Sequence, residues 1–206
     1  MKLYLSSYLI PDPKAFADFV GKDLSSIKVG LVSNAKDYKS PSDRLESVQK
    51  VLGYFSALCQ VEEIDLLKYP RGENLLDKFK EFDVIWLVGG NTYSLRWAIE
   101  QSSGKDVLKQ ALESGVIYGG DSAGAIIAGP TLKHFEKADD PTQAPEALYD
   151  GLGFVDVVVL PHWDSEAFHE IFVVAKEKLN AENYKTIELP DSGYVLVEDD
   201  KVIVVQ

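Results

Sequence analysis

Short, near-continuous apolar runs recur along the chain, and stretches with helical spacing separate them. V-I-W-L-V at 84–88 and V-D-V-V-V-L at 155–160 are the clearest of these runs. Such strands belong in a parallel sheet, because its crossover helices bury both faces and leave no polar side to alternate with. Strands are expected at Lys2–Ser6, Ile27–Ser33, Val61–Asp65, Val84–Val88, Val116–Tyr118 and Phe154–Leu160. The alternation predicts one α/β domain over residues 1–206, a flavodoxin-like three-layer sandwich around a mostly parallel sheet. The last segments break the rhythm. Tyr194–Glu198 and Lys201–Val205, joined by Asp199-Asp200, read as an antiparallel hairpin at a sheet edge.

The intervening helices carry start and stop signals. Asp12 precedes Pro13 and the stripe Phe16, Phe19, Val20, with Gly21 placed to end it. S-P-S-D at 40–43 reads as a capping box before the stripe Leu45, Val48, Leu52, Phe55. Leu108, Ala111 and Leu112 form another stripe, and Phe168, Ile171, Phe172, Ala175 and Leu179 form a late one. Residues 131–150 are polar and broken by proline, a long loop of the kind that often carries function.

Charge narrows the partners. The formal net charge is −12, which argues against nucleic acid and anionic membrane surfaces, since both recruit clustered cations. The single cysteine, Cys59, permits no internal disulfide and no cysteine zinc site, and is expected to be a buried spectator. No His/Asp/Glu grouping has ligand spacing, so neither metal nor cofactor is expected. Asp139-Asp140 and Asp199-Asp200 read as solvated. Residues 1–10 hold an apolar run too short for a signal peptide, followed at once by Pro-Asp-Pro; a cytoplasmic protein, monomer or homodimer, is the expectation.

In an open parallel sheet, chemistry gathers at the C-terminal strand ends. Four of these carry unusual residues: Ser6-Ser7, Gly89-Gly90-Asn91, Gly119 through Gly124, and Pro161-His162-Trp163. Gly120-Asp121-Ser122-Ala123-Gly124 fits G-x-S-x-G between a strand and a helix, the context of a nucleophile elbow. A phosphate-binding corner is the bland alternative. It is weakened by Asp121 and by the scarcity of cations, Lys109 being the only Lys or Arg from 106 through 132. The N–H of Ala123, next after the serine, is a natural oxyanion donor.

A serine nucleophile needs a base. His162 ends a predicted strand level with the serine turn, whereas His134 reads as solvated loop and His169 as structural or exposed. For the carboxylate, Asp156 lies on the strand six residues before His162, roughly 20 Å away at ~3.3 Å per residue. Asp164 and Glu166 are local candidates, and Asp191, in E-L-P-D-S-G at the end of a further short strand, is the third. Trp163 is a candidate wall of the substrate cleft, while Trp86 and Trp97 read as core or pocket wall.

L-V-G-G-N-T-Y-S-L (87–95), G-D-S-A-G-A (120–125), L-P-H-W (160–163) and L-P-D-S-G (189–193) together resemble the peptidase E family, the aspartyl dipeptidase and cyanophycinase group of serine peptidases. The motifs occur in family order across most of the chain. The resemblance implies a fold like that of class I glutamine amidotransferases, Ser122 as nucleophile, His162 as base and Asp191 as the acid. It implies a second oxyanion donor at the Gly90 N–H, with Asn91 capping the next helix. Asn91 and Asp121 are further candidates for the substrate pocket. The family usually has a glutamate where Asp191 stands, so the loop must approach His162 more closely. Family members that cleave Asp-X dipeptides place an arginine between the histidine and the acid. Residues 163–190 hold none, only Lys176, Lys178 and Lys185 as cations. The expected activity is thus hydrolysis of small peptides by a Ser-His-Asp triad, with Asp-X dipeptides as the family substrate. A non-catalytic binding module on the same fold is the alternative.

Overall fold

A computed structural model of the chain describes residues 1–199 and 201–206; Asp200, half of the expected hairpin turn, lies outside the described residues. The strands are β1 (Lys2–Ser6), β2 (Lys28–Val32), β3 (Gln60–Ile64), β4 (Val84–Leu87), β5 (Ile117–Asp121), β6 (Val158–Leu160), β7 (Thr186–Glu188), β8 (Tyr194–Glu198) and β9 (Lys201–Val205). The helices are α1 (Pro13–Val20), α2 (Pro41–Ser56), α3 (Leu75–Phe79), α4 (Thr92–Gln101), α5 (Gly104–Glu113), α6 (Ala123–Ile127) and α7 (His169–Ala181).

Seven strands form the main sheet in the order β3-β2-β4-β5-β1-β8-β9. The first five are parallel, and β8 and β9 close the sheet as the expected antiparallel hairpin. Chain connections step one way from β1 to β3 and the other way from β3 to β5. Right-handed crossovers then put α1 and α2 on one face and α3, α4 and α5 on the other. The apolar runs fill the centre: every residue of β4 is buried, and the Trp86 ring packs against Phe16, Phe55 and Tyr4 with centroids 5.8, 5.2 and 5.9 Å away.

The sequence signals for α1 and α2 act as expected. Asp12 accepts from Ala15 N–H and Gly21 takes the left-handed end conformation, while Ser40 accepts from Asp43 N–H. Leu45 departs from its stripe and is exposed; the helix turns only Val48 and Phe55 fully inward.

The larger departure is at Phe154–Leu160. Only Val158–Leu160 is strand, and it pairs in parallel with β7 in a separate two-stranded sheet. The reason lies in the hydrogen bonds just upstream. Leu152 N–H donates to Ile127 O, and the Phe154 and Val155 N–H groups both donate to Ala128 O, so this backbone is spent on the segment leaving α6. Within the main sheet β5 already has β4 and β1 as neighbours. His162 therefore approaches the serine turn from a second sheet.

Candidate active site

Ser122 joins β5 to α6 with φ 48° and ψ −110°, a conformation that an L residue rarely adopts and the signature of a sharp strand-to-helix turn. Its N–H donates to Ser6 O at 3.1 Å, and its carbonyl accepts from Ala125 and Ile126, so both flanks of the turn are fixed. The turn closes because residue 124 is glycine: a Cβ there would sit 1.9 Å from Leu87 O. Tyr118 Oη donates to Gly124 O at 2.6 Å and anchors the first turn of α6.

His162 follows β6, itself in the left-handed region at φ 56°. Its Nε2 lies 3.0 Å from Ser122 Oγ, and its Nδ1 lies 2.6 Å from Asp191 Oδ1. An ionised carboxylate can only accept, so Nδ1 carries the proton and the Nε2 lone pair faces the hydroxyl. The shorter acid reaches the ring because its loop is drawn in: Asp191 N–H donates to Asp164 Oδ1 at 2.9 Å. The Phe168 ring lies against the imidazole, centroids 5.3 Å apart, and Tyr8 stands edge-on at 6.5 Å. Ser7 Oγ accepts from His162 N–H at 2.7 Å. Chemically, such an arrangement can take a proton from a hydroxyl and stabilise the resulting imidazolium.

The Gly89-Gly90 turn lies against the serine. A Cβ on Gly89 would be 3.0 Å from Ser122 Cβ, and one on Gly90 would meet Ala35 O at 2.2 Å, so chain approaches from both sides. Among the described residues the N–H groups of Gly90 and Ala123 donate to no protein acceptor. Unpaired N–H groups beside a hydroxyl are what an oxyanion would use.

A model of peptidase family S51 matches residues 6–205. The chain belongs to peptidase family S51. Its reaction class is peptide-bond hydrolysis. An uncharacterized peptidase of Listeria monocytogenes is 28% identical over 170 residues, 82% of this chain and 81% of the relative. A peptidase E of Nostoc is 24% identical over 204 residues, 95% of this chain and 78% of its own. The crystal structure of a candidate peptidase E protein from Listeria monocytogenes superposes with a TM-score of 0.82 at 24% identity, covering 100% of this chain and 98% of that one. At that identity the superposition bears on the fold, and it agrees with the sheet described above.

Several other residues singled out in this S51 chain are committed to partners within the protein. Asp121 is turned into the protein interior. It is buried at 5% exposure, with Oδ1 accepting from Trp86 Nε1 at 2.7 Å and Oδ2 from Gly89 N–H at 3.1 Å, so it braces the glycine turn from behind. Burial pushes its carboxyl above the ordinary 3.8, against the opposing pull of Trp86, Lys36 and Gly89. Asn91 caps α4 as expected, accepting from Ser94 N–H at 2.8 Å, but its amide is also committed, donating to Asp140 O and Gln143 Oε1. Trp163 packs against His169 and under Lys176 and lines a surface cleft with Asp164, Glu166, His169 and Glu170, a cleft that Ser122 does not border. Asp164 supports Asp191 instead of replacing it.

His134, expected in solvent, is half-buried and pairs with Glu182 at 2.8 Å. Asp139, expected to be solvated, accepts from both the N–H and the hydroxyl of Thr92, which clips the 131–150 loop onto the start of α4. Cys59 is buried, and its thiol is pushed up to about 11 by desolvation. Sequence reasoning missed Tyr8, Phe168 and the role of Ser7. Ser7 left a trace as a polar residue at a strand end and Phe168 as the first of an apolar stripe, but the contacts of the two rings with His162 arise from tertiary packing that no local pattern encodes.

Proposed function

We propose that this peptidase is of the serine type and hydrolyses small peptides through an acyl-enzyme. Ser122 Oγ attacks the scissile carbonyl carbon as its proton passes to His162 Nε2. The Asp191 carboxylate orients the imidazole and balances its positive charge, and the N–H groups of Gly90 and Ala123 hold the oxyanion. His162 then returns the proton to the departing amine, the C–N bond breaks, and water, deprotonated by the same imidazole, releases the acid product. The continuous hydroxyl–imidazole–carboxylate contact, 3.0 Å then 2.6 Å, carries this reading. It also weighs against a purely non-catalytic module, for which nothing requires that alignment.

Substrate choice follows from the cations. Arg44 pairs with Asp37 and Glu63, Arg96 pairs with Glu100 and Asp150, and Lys176 and Lys185 pair with Glu188 and Asp156. A guanidinium free to grip an aspartyl side chain is thus not supplied by Arg44 or Arg96. Arg71 adjoins Gly72, whose neighbour Ser102 lies at the end of α4 away from Asn91. The proposal is therefore small peptides without a requirement for N-terminal Asp. Purified protein incubated with a dipeptide panel, Asp-X members included, is expected to release amino acids, and Ser122→Ala to release none while keeping its thermal midpoint. Equal turnover by the two proteins would defeat the reading.

A further inference from the structure

The proposed machinery is divided between two sheets. Ser122 leaves the main sheet at the end of β5, whereas His162 and Asp191 follow β6 and β7 of the two-stranded sheet. Among the described residues the sheets share no strand pairing. The loop that carries Asp191 runs on into β8, whose Tyr194 is in register with Ser6, so that ladder places the loop. No strand pairing among the described residues holds His162 to the main sheet, although a fraction of an ångström between imidazole and hydroxyl decides whether a proton transfers.

Ser7 spans that gap. It follows β1, whose Ser6 is in register with Asp121, so it stands beside Ser122 on the main-sheet frame. Its hydroxyl accepts from the His162 backbone N–H at 2.7 Å and donates to Asp191 Oδ1 at 3.4 Å. That same carboxylate oxygen accepts the imidazole Nδ1–H at 2.6 Å. The three contacts close a ring through the backbone of His162, its side chain, Asp191 and Ser7. One hydroxyl proton and one lone pair serve one partner each, so the two roles do not compete. The Ser7 N–H extends the tie by donating to Gly193 O, two residues beyond Asp191, at 3.0 Å.

Packing alone would not do this. The Asp191 side chain is 54% exposed and so is held by its hydrogen bonds, and His162 sits in a backbone conformation that needs external support. Ser7 itself is fully buried, so bulk water does not replace what its hydroxyl supplies. We infer that Ser7 is a positioning residue, clamping the backbone of His162 and the carboxylate of Asp191 to the frame that carries Ser122. The inference rests on the serine-peptidase reading of those three residues.

A biotinylated fluorophosphonate probe tests it on the full chain, with labelling time courses giving kinact and KI separately. Ser7→Ala is expected to lower kinact on the order of ten- to a hundredfold with KI unchanged. Ser7→Thr, which keeps the hydroxyl, recovers most of the rate, and Ser7→Val, of the same shape without it, does not. Ser102→Ala is the control for stability. It removes another fully buried hydroxyl, bonded to Ala98 O and Ile99 O at the end of α4 remote from Asn91, and should lower the thermal midpoint while leaving kinact alone. If the bulkier replacements do not fold, the comparison of Ser7→Ala with Ser102→Ala still decides. A Ser7→Ala protein labelled at the wild-type rate overturns the inference, as does a loss that merely tracks the thermal midpoint in both alanine variants. Wild-type protein that takes no label on Ser122 defeats the peptidase reading itself, and the inference with it, before any variant is compared.

Discussion

At the scale of single residues, the site is built from groups held where they would not rest by themselves. Ser122 and His162 both occupy positive φ, at 48° and 56°, each a cost of order 1–3 kcal/mol that surrounding bonds must offset. Asp121 is the plainest of these supports, since its two oxygens tie the Trp86 indole and the Gly89 turn together in the dry interior. Its raised carboxyl pKa fixes the sign of a pH effect. The folded state binds the proton more tightly than the unfolded chain, so the stabilisation is full below 3.8 and is lost as pH rises through the raised value. Asp121→Asn cannot titrate there. The unfolding free energy of wild type minus that of Asp121→Asn, followed by urea titration, is expected to fall as pH rises from about 3.8 towards neutrality. A difference that grows with pH would mean a folded-state pKa below the ordinary value.

At the scale of elements, the elbow depends on how closely α6 approaches β4. Gly124→Ala would push a methyl into the Leu87 carbonyl, 1.9 Å from the ideal Cβ, and neither backbone can yield without opening the turn. Destabilisation of more than about 3 kcal/mol is expected, read from denaturant unfolding, with loss of probe labelling in whatever fraction folds; a cost below about 1 kcal/mol would show that the turn is not held this way. The elbow was legible in the sequence because its determinants are local: a β-prone run, two glycines and a serine at fixed spacing. The parallel strands, the capped helices and the terminal hairpin were legible for the same reason. The placement of Phe154–Leu160 was not. Its apolar pattern suits any buried strand, and the bonds from Leu152, Phe154 and Val155 back to 127–128, which remove it from the main sheet, join distant residues. Asp139 was misjudged likewise, since a carboxylate that clips a loop to a helix start reads as a solvated one until its donors are known.

For the whole molecule, the main sheet brings the hydroxyl, the small sheet brings the imidazole, and the carboxylate sits on the loop from β7 of the small sheet to β8 of the main one, so the three groups meet only when both sheets are docked. Residues 122, 162 and 191 meet within hydrogen-bond range despite their separation along the chain. The most direct test is stoichiometric reaction of the folded protein with a fluorophosphonate, followed by peptide mapping of the adduct in wild type and in His162→Ala. The account predicts one adduct, on Ser122, formed by the wild type and suppressed when the imidazole is removed. An adduct on another residue, or Ser122 labelled equally fast without His162, would contradict it.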